Sequence, residues 1–229
     1  MKFGIVTFPG SNCDHDAYHA VVDVLGESAV YLWHKDHDLA GADVIILPGG
    51  FSYGDYLRPG AIARFSPIMT EVVAHARRGG PVLGICNGFQ IACEAGLLPG
   101  ALLRNDTLKF VSAPVRLTVI NADTMFTNRY EAGQVITMPV AHGDGRYTAD
   151  DATLDRLEGN GQVVLKYAGN PGEPAGTSPN GAMRSIAGII SAEGNVMGLM
   201  PHPERALDAA LGSTDGLGMF ESMLARVAA

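Results

Sequence analysis

The sequence predicts an α/β fold, a doubly wound and mostly parallel sheet flanked by helices, with an antiparallel β extension. Three observations lead there. Over the first 95 residues, apolar strand-like runs alternate with helical segments, the order that builds a parallel sheet through crossovers. Runs such as Val44-Ile-Ile-Leu47 and Val82-Leu-Gly-Ile85 are apolar on both faces, as strands covered on both sides must be. Between about 108 and 190 the pattern shifts to short strands with polar turns.

Taken in order, a strand over 2–8 ends at Pro9-Gly10, and a helix is expected near 13–25. Strands over 29–33 and 43–47, a helix near 66–78, a strand at 82–85 and a helix over 87–95 follow. The antiparallel stretch includes 115–120, 134–138 and 162–167, and the chain returns to the main sheet with 196–200. A last helix over about 216–227 carries Leu217, Phe220, Met223, Leu224 and Val227 at helical spacing, a stripe suited to core packing. With 229 residues, 47% of them hydrophobic, the chain can bury a full core, and one domain over 1–229 is expected.

Charge and cysteine usage narrow the function. A net charge of -8 with no basic stripe disfavours nucleic acid as a partner. Three cysteines, an odd number, argue against a disulfide framework and suit a reducing cytoplasm. No metal centre is expected, and no C-x-x-C pairing occurs. Neither G-x-x-x-x-G-K-[ST] nor a clean G-x-G-x-x-G is present, so no nucleotide cofactor is expected on this chain. Residues 3–8 are too short for the core of a signal peptide, and no run approaches the roughly 18 apolar residues of a membrane span.

The chemistry centres on Pro81-Val-Leu-Gly-Ile-Cys-Asn-Gly-Phe-Gln90, a buried strand running into a cysteine on a sharp turn. Its G-x-C-x-G core is the cysteine counterpart of a hydrolase nucleophile elbow. Gly84 and Gly88, without Cβ atoms, let the backbone bend and the next helix pack close to the sheet. The N-terminus of that helix then lies beside the Cys86 sulfur, where free N–H groups favour a thiolate. A thiolate nucleophile needs a base held by a third group, and Pro201-His-Pro-Glu204 offers both. His202 precedes a proline and is therefore extended, so His202 and Glu204 project to similar sides at the C-terminal end of the 196–200 strand. The glycine-rich loop after 43–47 brings Gly49 and Gly50 amides near the amide of Asn87, a candidate oxyanion hole.

These motifs together resemble the class I (triad) glutamine amidotransferases, whose fold is flavodoxin-like. Phe8-Pro-Gly-Ser-Asn-Cys-Asp14, Gly49-Gly-Phe-Ser-Tyr-Gly-Asp-Tyr-Leu-Arg58, Ala141-His-Gly-Asp-Gly-Arg-Tyr147 and Ser178-Pro-Asn-Gly-Ala-Met-Arg-Ser-Ile-Ala-Gly188 resemble the branch formed by the glutaminase subunit, PurQ type, of phosphoribosylformylglycinamidine synthase. The resemblance spans nearly the whole chain. It implies Cys86 as nucleophile, His202 as general base and then acid, and Glu204 as the group orienting His202. It also implies Gly50 and Asn87 amides for the oxyanion, and Gly49, Gln90, His142 and Gly143 near the glutamine, with 141–147 a loop lining the same pocket or the contact with the partner. Its implied partners are L-glutamine, an ATP- and Mg-using synthetase subunit of PurL type and a small accessory subunit of PurS type. This chain departs from the family at Ala182, where serine is usual, and in a longer loop over 169–176. A stand-alone cysteine hydrolase or peptidase on the same fold is the alternative, although Pro-His-Pro-Glu and the Gly-Gly-Phe-Ser-Tyr run are not expected of one. Cys93 falls seven residues past Cys86 and reads as a core residue, and Cys13 carries no assigned chemistry.

Overall fold

The computed structural model describes residues 1–227, with side chains to Ala225. In the first part of the chain, β1 (Lys2–Thr7), α1 (Asp14–His19), β2 (Ser28–Trp33), β3 (Val44–Leu47), α2 (Pro67–Arg77), β4 (Val82–Ile85) and α3 (Asn87–Glu94) follow the expected alternation. After them come β5 (Ala101–Leu103), β6 (Val111–Val119), β7 (Val135–His142), β8 (Arg146–Thr148), α4 (Asp151–Gly159), β9 (Val163–Tyr167), β10 (Ile186–Ile190), β11 (Val196–Leu199) and α5 (Leu217–Val227).

Nine strands share one sheet in the order β2-β1-β3-β4-β11-β10-β9-β6-β7. The first five pair in parallel, and every later neighbour pairs antiparallel. β3, β4 and β11 are interior strands of the sheet and are buried along their whole length, which is why they read as unbroken apolar runs. The sheet curls, so that β7, four places from β11 in the order, packs against the turn Pro203–Arg205 that follows β11.

Helix α3 lies unusually close to this sheet. A Cβ on Gly88 would collide with the carbonyl of Leu47 at the end of β3, and one on Gly198 in β11 would collide with the ring of Phe89. Phe89 also stacks on Tyr147 of β8 at 5.8 Å, so this helix joins the two halves of the molecule. Fully burying a side chain of that size contributes about 1.5–3 kcal/mol.

Three expectations need correction. The helix expected over 13–25 is α-helical only to His19 and continues as a wider π turn over Ala20–Val24. Apolar spacing cannot separate the two windings, because Ala17, Ala20 and Val21 are buried in the observed mixture as they would be in a regular helix. The 108–190 stretch is not all strand: α4 interrupts it, capped by Asp150, whose carboxylate accepts from the Thr153 amide at 2.7 Å. Only Leu154 and Leu157 of α4 are buried, too few to raise a clear helical period. The Ala141–Tyr147 segment is likewise less a loop than the end of β7, a tight turn and the start of β8. Leu217, Phe220, Met223 and Leu224 of the last helix belong to or pack on the core, and the Val227 side chain lies outside the described residues. Among the described residues, no helix is long and apolar enough to cross a membrane.

Candidate active site

Cys86 caps α3 with φ 50° and ψ -104°, a conformation that costs a non-glycine residue on the order of 1–3 kcal/mol. The strain is maintained by neighbours. The Cys86 amide donates to the Leu199 carbonyl of β11 at 2.8 Å, and its own carbonyl accepts from the amides of Phe89 and Gln90. Its thiol, 4% exposed as a residue, points at the carbonyl of Ala141 on β7, 3.7 Å away.

His202 and Glu204 leave the C-terminal end of β11, the strand that pairs in parallel with β4. His202 is extended, as a residue before proline should be, with φ -106° and ψ 90°. Its Nδ1 lies 2.6 Å from Glu204 Oε1, and both residues are buried, at 1% and 3% exposure. That contact places the neutral ring's proton on Nδ1 and leaves Nε2, buried and without a hydrogen-bond partner among the described residues, as the basic atom. Burial opposes a charge on His202, but the Glu204 carboxylate, with smaller contributions from Cys86 and Cys13, holds its pKa well above the usual histidine value. The imidazolium is therefore favoured beside the Cys86 sulfur. The His202 amide donates to Pro139 of β7 at 2.8 Å, so the same strand touches nucleophile and base.

Gly50 and Asn87 bring their amides to this edge. Among the described residues, neither N–H has a protein acceptor. Gly50 adopts φ +140°, and a Cβ there would meet the backbone of Gly10, Ser11 and Asn12, so this approach requires glycine. At Gly49 a Cβ would meet the Cys13 sulfur and His202 Cε1, so this glycine too stands against the buried histidine.

Gln90 is buried and already engaged, its Oε1 accepting from Asn87 Nδ2 at 2.8 Å and its Nε2 donating to the Asp144 carbonyl at 2.7 Å. It ties α3 to the turn that carries His142 and Gly143. Burial drives the His142 pKa down to about 4, assisted by the charge on His202, so this ring is neutral at physiological pH. The turn is built by two residues to which the motifs assign no role, Asn105 and Asn180. Asn105 donates to the carbonyls of His142 and Lys109 and accepts from the Gly145 amide, and Asn180 donates to the Gly145 carbonyl at 2.8 Å. Both are fully buried asparagines, which is detectable only after folding. At Ala182 the remaining contact is its backbone amide donating to Asn180 Oδ1 at 3.0 Å, which needs no serine hydroxyl. Beside Asn87, Asp55 is pushed up to about 6 by burial and by Asp144.

Among the described residues, one group of side chains has donors close enough for a metal ion, Cys13, His202 and Glu204, within 4.8 Å of one another. His15 and His19 stand i, i+4, a spacing some metal sites use, but His19 turns to Asp23 and His15 to Tyr31. Cys93 packs on the core, as its spacing suggested, and burial raises its pKa strongly.

The chain that carries this strained cysteine, buried imidazole and carboxylate matches a known family. The model of the CobB/CobQ-like glutamine amidotransferase domain covers residues 1–216. This chain belongs to that glutamine amidotransferase family. The amidotransferase is 58% identical over 229 residues to phosphoribosylformylglycinamidine synthase subunit PurQ of Chlorobaculum tepidum, covering 100% of this chain and 98% of that protein. It is 56% identical, also over 229 residues, to the protein of the same name from Nostoc sp., covering 100% and 99%. A chain in the structure of PurLQS from Thermotoga maritima superposes with a TM-score of 0.87 at 46% identity, covering 99% of the amidotransferase and 98% of that chain.

Proposed function

We propose that this chain is the glutaminase subunit of phosphoribosylformylglycinamidine synthase, acting as one type 1 glutamine amidotransferase domain in de novo purine synthesis. The observation that carries the proposal is Cys86 strained at the N-terminus of α3 beside the buried His202–Glu204 pair, in a chain whose full-length relatives are PurQ subunits.

Cys86 thiolate attacks the side-chain carbonyl carbon of glutamine, and the Gly50 and Asn87 amides take the negative charge of the tetrahedral adduct. His202, held by Glu204, protonates the departing nitrogen, which leaves as ammonia. The same ring then takes a proton from water, which cleaves the glutamyl thioester to glutamate and restores the thiol. The ammonia passes to a PurL-type synthetase, which uses ATP and Mg to convert formylglycinamide ribonucleotide to the amidine, with a PurS-type subunit completing the assembly. This chain itself carries no cofactor in this reading. Three unpaired cysteines support a reducing compartment, and we place the protein in the cytoplasm. The nearly closed Cys86 supports dependence of hydrolysis on partner docking, so the isolated chain should be a poor glutaminase.

The test is reconstitution with the two partners. Cys86→Ala should abolish glutamine-dependent amidination and leave ammonia-dependent amidination near wild type, while wild-type enzyme quenched during turnover should carry a glutamyl adduct on Cys86 by mass spectrometry. Equal loss of both activities would sink a purely glutaminase role. The full-length relatives argue against a stand-alone cysteine hydrolase.

A further inference from the structure

Cys13 is a buried thiol that the steps above do not use. It lies in the turn after β1, next to α1, and its amide donates to the Gly49 carbonyl. Its sulfur is fixed on two sides. The thiol donates to Asn12 Oδ1 at 3.1 Å, and Arg205 Nη2 donates to the sulfur at 3.1 Å, while Arg205 Nε is itself anchored on Asp16 at 2.8 Å. With the S–H directed to Asn12 and one lone pair engaged by Arg205, the remaining lone pair is left for the His202 ring, whose nitrogen lies within 4.8 Å. Nothing intervenes there because residue 49 is glycine: a Cβ at that position would stand 2.9 Å from the Cys13 sulfur and 2.8 Å from His202 Cε1. His202 therefore has a sulfur-bearing neighbour from each of two strand ends, Cys86 after β4 and Cys13 after β1.

We propose that Cys13 is a positioning residue of the glutaminase, its sulfur pinned by Arg205 and Asn12 so that it holds the His202 imidazole in the orientation that serves Cys86. The proposal rests on the glutaminase reading above. An imidazole that must give a proton to ammonia and then take one from water has to keep its ring plane while its own charge changes, and Glu204 constrains only one edge. Cys13 constrains the ring from a second direction. The titrating and charged groups facing or adjoining this ring are Glu204, Cys86, Cys13 and His142, with Arg205 behind Cys13. Burial raises the Cys13 pKa, with His202 opposing, so Cys13 stays a thiol while its contact favours the charged ring.

The test uses the assembled enzyme. Cys13→Ala should lower kcat with glutamine about tenfold, with KM for glutamine within about twofold, because a displaced base slows chemistry more than it weakens binding. The alkaline limb of the glutamine pH profile should move to lower pH, since the imidazolium has lost a stabilising neighbour. Ammonia-dependent activity should not change. Cys13→Ser, whose hydroxyl can accept from Arg205, should recover most of the rate and the original profile. A Cys13→Ala enzyme with wild-type kcat and pH profile overturns the proposal. So does a Cys13→Ser enzyme as impaired as Cys13→Ala, which would make the sulfur a packing atom only. Should Cys13→Ala fail to fold, Arg205→Met tests the same contact, and an unmoved pH profile in that variant overturns it. A wild-type complex without glutamine-dependent activity would instead refute the glutaminase reading, so the two failures are distinguishable.

Discussion

The two halves of the sheet serve the site in different ways. In the parallel half, each contributing strand delivers side chains or glycines from the turn at its C-terminal end: Cys13 after β1, Gly49 and Gly50 after β3, Cys86 after β4, His202 and Glu204 after β11. The antiparallel half supplies mostly backbone. Pro139 and Ala141 of β7 offer carbonyls to the base and the nucleophile, and the 142–145 turn is held in place by buried asparagines. Reactive chemistry thus comes from crossover turns, and the wall that encloses it comes from a hairpin region curled back over them. Parallel strands all point the same way, so their C-terminal turns gather at one edge, whereas antiparallel strands send half of theirs to the other.

Substitutions should separate the halves, and the largest effect belongs to the parallel edge. His202→Ala is expected to slow thioester formation by about 10² to 10⁴. Single-turnover kinetics would check it, and near-normal turnover would remove His202 from the mechanism. Glu204→Gln should cost less in rate and should lower the pKa of His202, since the carboxylate is the strongest group raising it. The sign for stability follows. A raised histidine pKa contributes stability that is complete below the unfolded value near 6.5 and is lost as pH rises through the folded value. The wild type should therefore lose its advantage over Glu204→Gln in alkaline melts, and a constant difference across pH would count against this coupling.

On the antiparallel side, stability should fall first. Asn105→Ala strands the carbonyls of His142 and Lys109 and the amide of Gly145, at a cost of about 2–3 kcal/mol. Denaturant unfolding measures this, with a rise in KM for glutamine expected alongside. An unchanged melt would show that the turn is held by something other than Asn105. The smallest effect is at Asp55, between the halves. Its pKa, raised from 3.8 to about 6, means the folded state resists its ionisation, so stability falls as pH climbs through that window. Asp55→Asn should gain about 1 kcal/mol at pH 8, after discounting for its partial exposure, and nothing near pH 4. The ordering of thermal melts at the two pH values decides it.

Much of this was legible in the chain. The elbow was, because a cysteine bracketed by Gly84 and Gly88 after an apolar strand leaves few other conformations, and the Pro-His-Pro-Glu segment fixes its own backbone. Three-residue strands such as β5 and β8 were not, being too short to show a period, and α4 hid behind only two buried leucines. Asn105 carries no motif of its own, and Asn180, although inside the Ser178–Gly188 motif, gives no sign there that it is buried against the 142–145 turn.

What the sequence determined by itself is local: which segments are strands or helices at the parallel edge, where the backbone must bend, and which cysteine meets a helix N-terminus. These follow from sterics and apolar spacing within a few residues. What tertiary structure alone decided is adjacency across the chain, with Cys13 beside His202, Arg205 on the Cys13 sulfur, and β7 folded over both catalytic strands. Such contacts join residues up to 192 positions apart, and they depend on sheet order and curl, which no short window of sequence encodes.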